Sequence, residues 1–168
     1  MLEIKVNLTE LKEFTDKIPG FDSAIIAEQQ YAMHASLSVL EQAVTVRTPV
    51  GVSGAAGLRG AWSQQVSGTP ALQVGELHNP LDYAWAVEAG RKKGSMPPPN
   101  SESLLLWVTR KLGVTGKEAK SLAFVIARAI GRKGTKGFFM LRDGWAQAEP
   151  IIIRLHEAIP EKAISKLL

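Results

Sequence analysis

Apolar side chains recur at spacings of three, four and seven residues from Ile25 to Val44. Ile25, Ile26, Met33, Leu37, Leu40 and Val44 form one stripe, with Asp22 placed as an N-cap and Pro49 just past the end. The spacing predicts a helix running to about Arg47, close to 38 Å long at about 1.5 Å per residue. Ahead of it, Leu2, Ile4 and Val6 alternate with polar neighbours as in a short strand. Thr9 to Ile18 sets Leu11 and Phe14 on one helical face and stops at Pro19-Gly20. Behind it, Gly51, Gly54 and Gly57 mark a small-residue loop. Leu58–Ser67, Ala71–Leu77 and Tyr83–Ala89, separated by turn sequences, predict three antiparallel strands. The alternation is clearest at Tyr83, Trp85 and Val87.

Gly90 to Asn100 starts basic and ends in Pro97-Pro98-Pro99, which predicts a loop. Ser101 or Ser103 caps a helix carrying Leu104, Leu105, Trp107, Val108 and Leu112. Thr115 and Glu118 have capping-box spacing and open a second helix, with Leu122, Ala123, Ile126, Ala127 and Ile130 on one face and Gly131 at its end. Gly131–Gly137 reads as a second basic loop and Phe138-Phe139-Met140 as a short strand. A C-terminal helix follows from Leu141 towards Leu167, kinked or broken at Pro150.

This order predicts an α+β fold: a small antiparallel β-sheet packed against a long N-terminal helix, with a helix pair and a C-terminal helix. A single domain over 1–168 is expected, long enough to bury roughly 70% of its unfolded surface. Its parts are a strand and helix at 1–20, the long helix at 21–48, strands at 58–89, and a basic, proline-rich loop at 90–100. The helix pair at 101–131, a basic glycine loop and strand at 132–140, and the last helix at 141–168 complete it.

Charge changes this picture, because it is sorted. Eleven of the twenty Lys and Arg residues lie between Arg91 and Lys136, against only Glu102 and Glu118, a balance of +9. The other nine cations and fourteen carboxylates leave −5, and the two parts give the net +4. Net charge bears on partners more than on fold, so the basic segment expects an anionic surface. Arg91, Lys92 and Lys93, and Arg132, Lys133 and Lys136, sit in glycine-flanked loops and are the candidate interaction residues. No aromatic is interleaved with them to stack bases and no recognition-helix pattern is present, which argues against base readout.

Chemistry is sparse. There is no cysteine, so no disulfide, thiolate nucleophile or Cys-based zinc site forms, and a reducing compartment fits. His34, His78 and His156 are isolated from any metal-binding spacing. Ser53 lacks the strand-to-helix context of a nucleophile elbow. Gly51, Gly54 and Gly57 follow a helix and precede a strand, the reverse of a nucleotide loop, and Gly134–Gly137 does not match a phosphate-binding loop either. Asp82 and Glu88 are the best acid pair. No cofactor, metal site or catalytic residue is assigned, and a small hydrolase or nuclease would rest on those two carboxylates alone. The longest apolar run, Leu122 to Ile130, is interrupted by Arg128 and is far short of a membrane span; with no secretory segment in 1–20, a soluble chain is expected.

Three stretches, in order, resemble a known family. Thr48-Pro49-Val50-Gly51 through Gly57-Leu58-Arg59-Gly60-Ala61-Trp62 is similar to Thr-Pro-Val-Asp-Thr-Gly…Leu-Arg-x-Ser. Tyr83-Ala84-Trp85-Ala86-Val87-Glu88-Ala89-Gly90 is similar to Tyr-Ala-x-x-Val-Glu-x-Gly. Gly134-Thr135-Lys136-Gly137-Phe138-Phe139-Met140-Leu141 is similar to Gly-Thr-x-x-x-x-Phe-Leu. They resemble the tail-completion, or head–tail joining, proteins of long-tailed double-stranded DNA bacteriophages, and the likeness spans 22–146. It departs where Gly51-Val52 replaces Asp-Thr and where the loop to Gly57 is longer.

The resemblance implies a structural, non-enzymatic virion component at the neck, made in the host cytoplasm. It implies a homo-oligomeric, hexameric ring that touches connector or stopper proteins above, tail tube protein below and genomic DNA in the lumen, without any membrane. It also implies structural roles for Pro49, Gly57, Leu58, Arg59, Tyr83, Ala84, Val87, Glu88, Gly90, Gly134, Thr135, Phe139 and Leu141. The residues alone also fit a sequence-independent nucleic-acid-binding protein that uses the same basic loops.

Overall fold

The computed structural model describes residues 20–52, 57–69, 72–97 and 102–167. The expected strand and helix at 2–18, Pro19, Ser53, Gly54, Pro98, Pro99 and Ser101 lie outside them. Helix α1, Phe21–Arg47, is the long helix expected, and it starts one residue before Asp22. Its N-cap is Gly20, at φ 83°, and the Ser23 hydroxyl donates back to the Gly20 carbonyl. The buried side of α1 mixes small residues (Ala32, Ser36, Ala43) with Leu37 and Val44. Small residues let another backbone come close. Opposite Val44, a Cβ on Gly144 would sit 2.6 Å from a Val44 methyl.

One side of α1 carries the C-terminal helices α5, Met140–Glu157, and α6, Ile159–Ser165. Helix α5 runs through Pro150 rather than ending there. Pro150 and Ala146, whose carbonyl loses its usual amide partner, both lie on the exposed side. The break comes at Ala158, and Pro160 then sits in the first turn of α6, where a missing N–H costs nothing. Lys166 pairs with the buried Glu28 carboxylate, and Ser36 shares a 3.2 Å hydrogen bond with His156, so both helices are tied to α1.

Helix α1 also carries a two-stranded ribbon, β1 (Ser63–Thr69) and β2 (Leu72–His78), antiparallel with Ser63 opposite His78 and Thr69 opposite Leu72. The fold is therefore α+β, with a long helix backing a small antiparallel sheet, but two details differ from expectation. Leu58–Gly60 is a 3-10 turn rather than the start of the first strand. Tyr83–Ala89 is not a third strand: Ala84–Ala89 is a short helix, α2. Over six residues a period of two and a period of 3.6 look alike, and burial decides. Tyr83, Ala84 and Val87 turn to the core while Trp85 is 74% exposed, the spacing of one helical face.

The main core gathers Val44, Leu58, Trp62 and Met140, flanked by Leu40, Leu77, Leu81, Tyr83, Ala84, Val87 and Leu141. A polar knot closes it. Thr48 is fully buried; its hydroxyl donates to the Val44 carbonyl at 2.8 Å and accepts the Trp62 indole N–H at 2.9 Å. The Thr48 carbonyl accepts from Arg59 Nε at 2.7 Å, and Asn79 donates to the Leu58 carbonyl at 2.8 Å. The C-terminus of α1 is thus bonded to the turn that launches the ribbon.

Helices α3, Glu102–Leu112, and α4, Gly116–Lys133, form a separate arm with its own core of Val108, Ala119 and Ala123, packed by Leu104, Leu105, Val114, Leu122 and Ile126. Ser103 lies inside α3 rather than at its cap, and Thr115 caps α4 by position without a side-chain hydrogen bond. Helix α4 continues past Gly131 to Lys133. An apolar cleft of about 1120 Å³ separates arm from body, between the Leu58, Leu81 and Val87 side and the Leu104, Leu105 and Trp107 side.

Thr48→Val is expected to lower stability by about 1–3 kcal/mol, because it leaves the buried Trp62 N–H without an acceptor. Urea unfolding followed by Trp fluorescence measures this. A loss near zero would show that water or a shifted carbonyl takes over the bond.

Candidate interaction surface

The six cations of the two basic loops lie far apart in sequence, yet the fold brings them together. Two very short strands, β3 (Gly90–Arg91) and β4 (Thr135–Lys136), pair antiparallel, with Gly90 opposite Lys136 and Arg91 opposite Thr135. The Arg91 amide also donates to the Thr135 hydroxyl at 3.0 Å, and the Gly94 amide to the Gly131 carbonyl at 2.7 Å. These bonds zip 90–94 to 131–136. The fold therefore brings Arg91, Lys92, Lys93, Arg132, Lys133 and Lys136 into one region, although Arg91 and Lys136 leave the ladder on opposite faces and Arg91 lines the apolar cleft.

Glycine permits the zip at both ends. Gly90 and Gly134 have φ of 73° and 72°, a region other residues avoid. A Cβ on Gly90 would lie 2.3 Å from the Thr135 carbonyl oxygen, and one on Gly134 2.5 Å from the Arg91 carbonyl oxygen. Each glycine makes room for the other strand.

Expectation and structure differ here. Residues 131–137 are not one flexible loop, since Arg132 and Lys133 close the last turn of α4, and Phe138-Phe139-Met140 is not a strand. Phe139 instead takes the left-handed conformation, φ 51°, as the residue before α5. A chain turning that sharply into a helix cannot continue as a strand. The ladder escaped sequence reasoning because two-residue strands show no periodicity; only the two glycines bracketing the cations hint at close backbone approach.

None of the six cations makes an ion pair among the described residues; the two ion pairs there are Arg142–Asp143 and Lys166–Glu28. Lys92, Lys93, Arg132, Lys133 and Lys136 are exposed and Arg91 is half-buried. Desolvation is therefore small for most of them, and their field is uncompensated locally.

Glu88 holds this surface to the body. It is 7% exposed, and its two carboxylate oxygens accept the N–H groups of Leu141 at 2.9 Å and Arg142 at 3.1 Å, in the first turn of α5. The neighbouring backbone joins in. Phe138 N–H donates to the Val87 carbonyl at 2.9 Å and Phe139 N–H to the Glu88 carbonyl at 3.0 Å. The Arg142 guanidinium lies over the Phe139 ring at 3.9 Å, and its hydrogen bond holds the Asp143 carboxyl below the usual carboxylate range.

The remaining candidates are placed as follows. Pro49 follows the Thr48 knot, Gly57 and Leu58 are buried at the 3-10 turn, and Arg59 bonds Thr48. Burial pushes the Tyr83 phenol above its ordinary value, and the charge of Asp82 adds to this. Asp82 is exposed and accepts the Ser103 hydroxyl at 3.1 Å, so it and Glu88 are committed to different partners. His34 is exposed, His78 bonds Ser63, and His156 bonds Ser36. No group of three or more His, Asp or Glu side chains that could hold a metal ion occurs among the described residues. No helix there is long and apolar enough to cross a membrane.

Compared with protein-family models, curated proteins and solved structures, the chain matches none.

Glu88→Ala should cost about 2–3 kcal/mol, since two helix-start amides lose a carboxylate acceptor at once, and Glu88→Gln about half as much. Thermal unfolding of the two variants gives the order. Gly134→Ala keeps all six cations but forces a side chain into the Arg91 carbonyl, for roughly 1–3 kcal/mol. Amide exchange at Arg91 and Lys136 should then speed up, while α1 amides stay protected.

Proposed function

We propose that this protein is a structural subunit of the neck of a long-tailed double-stranded DNA bacteriophage. It is a tail-completion or head–tail joining component that forms a hexameric ring, docks the connector or stopper proteins to the tail tube, and makes or breaks no bond. In the virion its cationic surface faces a neighbouring subunit, a docking partner or the DNA-bearing lumen. The observation that carries this reading is the zipping of two sequence-distant basic loops into one region of uncompensated positive charge by β3 and β4. A protein that works by holding macromolecules together needs fixed charge on a built platform, and charge of this kind steers encounter before close contacts form.

The motif residues support the same reading through their structural duties. Arg59 and Leu58 close the α1 end, Tyr83, Ala84 and Val87 line the core, and Glu88, Gly90 and Gly134 hold the ladder against α5. The same unpaired cations favour one other reading, a sequence-independent nucleic-acid binder.

Replacing Arg91, Lys92 and Lys93, or Arg132, Lys133 and Lys136, by alanine should block joining of filled heads to tails while changing monomer stability by less than about 0.5 kcal/mol. Full-titre virions with all six neutralised would defeat the proposal. Duplex binding in a gel shift that falls by orders of magnitude between roughly 50 and 200 mM salt would favour the nucleic-acid reading instead.

A further inference from the structure

Two helices present solvent faces of opposite charge and matching spacing. On α4, the buried side is the stripe Ala119, Ala123 and Ala127. The next row round the helix, about 100° away, presents Lys120, Phe124 and Arg128 to solvent, four residues apart along the helix. Phe124 is 50% exposed between its two cations, and Arg132 extends the row by one more step. On α5, the buried side is Met140, Gly144 and Ala148. An exposed row of the same helix presents Glu149, Ile153 and Glu157, again four apart, with Ile153 50% exposed between its two carboxylates.

One row reads cation, apolar, cation, and the other acid, apolar, acid. Each step is about 6 Å along the axis in both helices, so the charges fall in register when the apolar residues meet. Antiparallel docking also sets Arg132 opposite Trp145, four residues before Glu149 and 47% exposed. Two cations flank the acidic row, and only Arg142 is paired with an acid. Arg142 lies on Phe139 and pairs with Asp143, and Arg154 Nε donates to the Pro150 carbonyl at 3.1 Å. Neither Glu149 nor Glu157 makes an ion pair among the described residues.

We infer that the outer face of α4 in one copy docks on the outer face of α5 in the next, head to tail. A contact between two different patches on identical chains repeats, and it closes into a ring when the rotation allows. Phe124 and Ile153 form the apolar centre, and the four charges form the rim that fixes register and orientation. A duplex backbone would match the cations of α4 but would leave Phe124 and Val125 facing phosphates. A second copy supplies both the acids and the apolar centre. The inference rests on the ring-forming role proposed above for its head-to-tail arrangement, and it names the surfaces that build the ring.

The test uses the full chain and two variants, Lys120→Glu with Arg128→Glu, and Glu149→Lys with Glu157→Lys, each confirmed folded by circular dichroism. In sedimentation equilibrium at low salt, the wild type should form species larger than a dimer. Each variant alone should associate at least tenfold more weakly, and the one-to-one mixture should recover wild-type assembly, because each then meets its complement. A wild type that stays monomeric to roughly 100 µM, stops at two copies, or yields variants that mixing does not rescue overturns the inference. Binding of short duplex DNA by the α4 row with no self-association also overturns it. Failure of the neck reading looks different: assembly rescued by mixing while alanine at the six ladder cations leaves head–tail joining intact removes that role but keeps the pairing.

Discussion

The Glu88 carboxylate is the point on which the arrangement turns. A helix start leaves several amides without partners, and one buried against a core needs acceptors from elsewhere. Helix α5 has Phe139 before it in a left-handed conformation and no side-chain cap of its own. Glu88, fifty-odd residues earlier, supplies both oxygens, and a negative group at that end also suits the helix dipole. The consequence runs in two directions. Towards the body, α5 is positioned so that Gly144 fits under Val44, which brings α1 and the main core into place. Towards the arm, the next residues after Glu88 are the strand that pairs with β4, so the same residue sets where the cations stand.

Two cores of different character follow. The body is closed by Trp62, Met140 and Val44 with a buried Thr48 at its centre, so its packing is tied down by directional bonds as well as by area. The arm is held by alanines facing Val108, which allow α3 and α4 to approach closely without large side chains. Between them lie the ladder, the Ser103–Asp82 bond, the Gly94–Gly131 bond and the 3.2 Å bond from Arg110 to the Val52 carbonyl. Burial dominates within each unit, whereas a few polar contacts join the two.

The helices were legible in the sequence because their apolar residues recur over many turns, as from Ile25 to Val44 in α1 and from Leu122 to Ile130 in α4. The β1–β2 ribbon was legible from its turn residues and alternation. Tyr83–Ala89 was misread because six residues cannot distinguish a strand from a helix until burial shows which side chains face inward. The cations were visible one by one, but their adjacency was not, since it depends on backbone bonds between residues of two distant segments, 90–94 and 131–136. Glu88 stood out through the family-like Tyr-Ala-x-x-Val-Glu pattern and as one of an acid pair with Asp82; nothing in the local sequence says that its oxygens reach α5. The paired rows on α4 and α5 are four-residue spacings in the sequence, yet they mean something only once other rows of both helices are known to be buried.

The slender join between arm and body has a mechanical consequence. Helix α4 is about 27 Å long and is anchored at its basic end by the β3–β4 zip. A tilt about that zip would be magnified at its far tip once the exposed Ser103–Asp82 and Arg110–Val52 bonds gave way. A turn of only ten degrees or so moves the far tip by about 5 Å, on the scale of one helical step. Such a tilt would change the angle between arm and body with neither hydrophobic core having to repack.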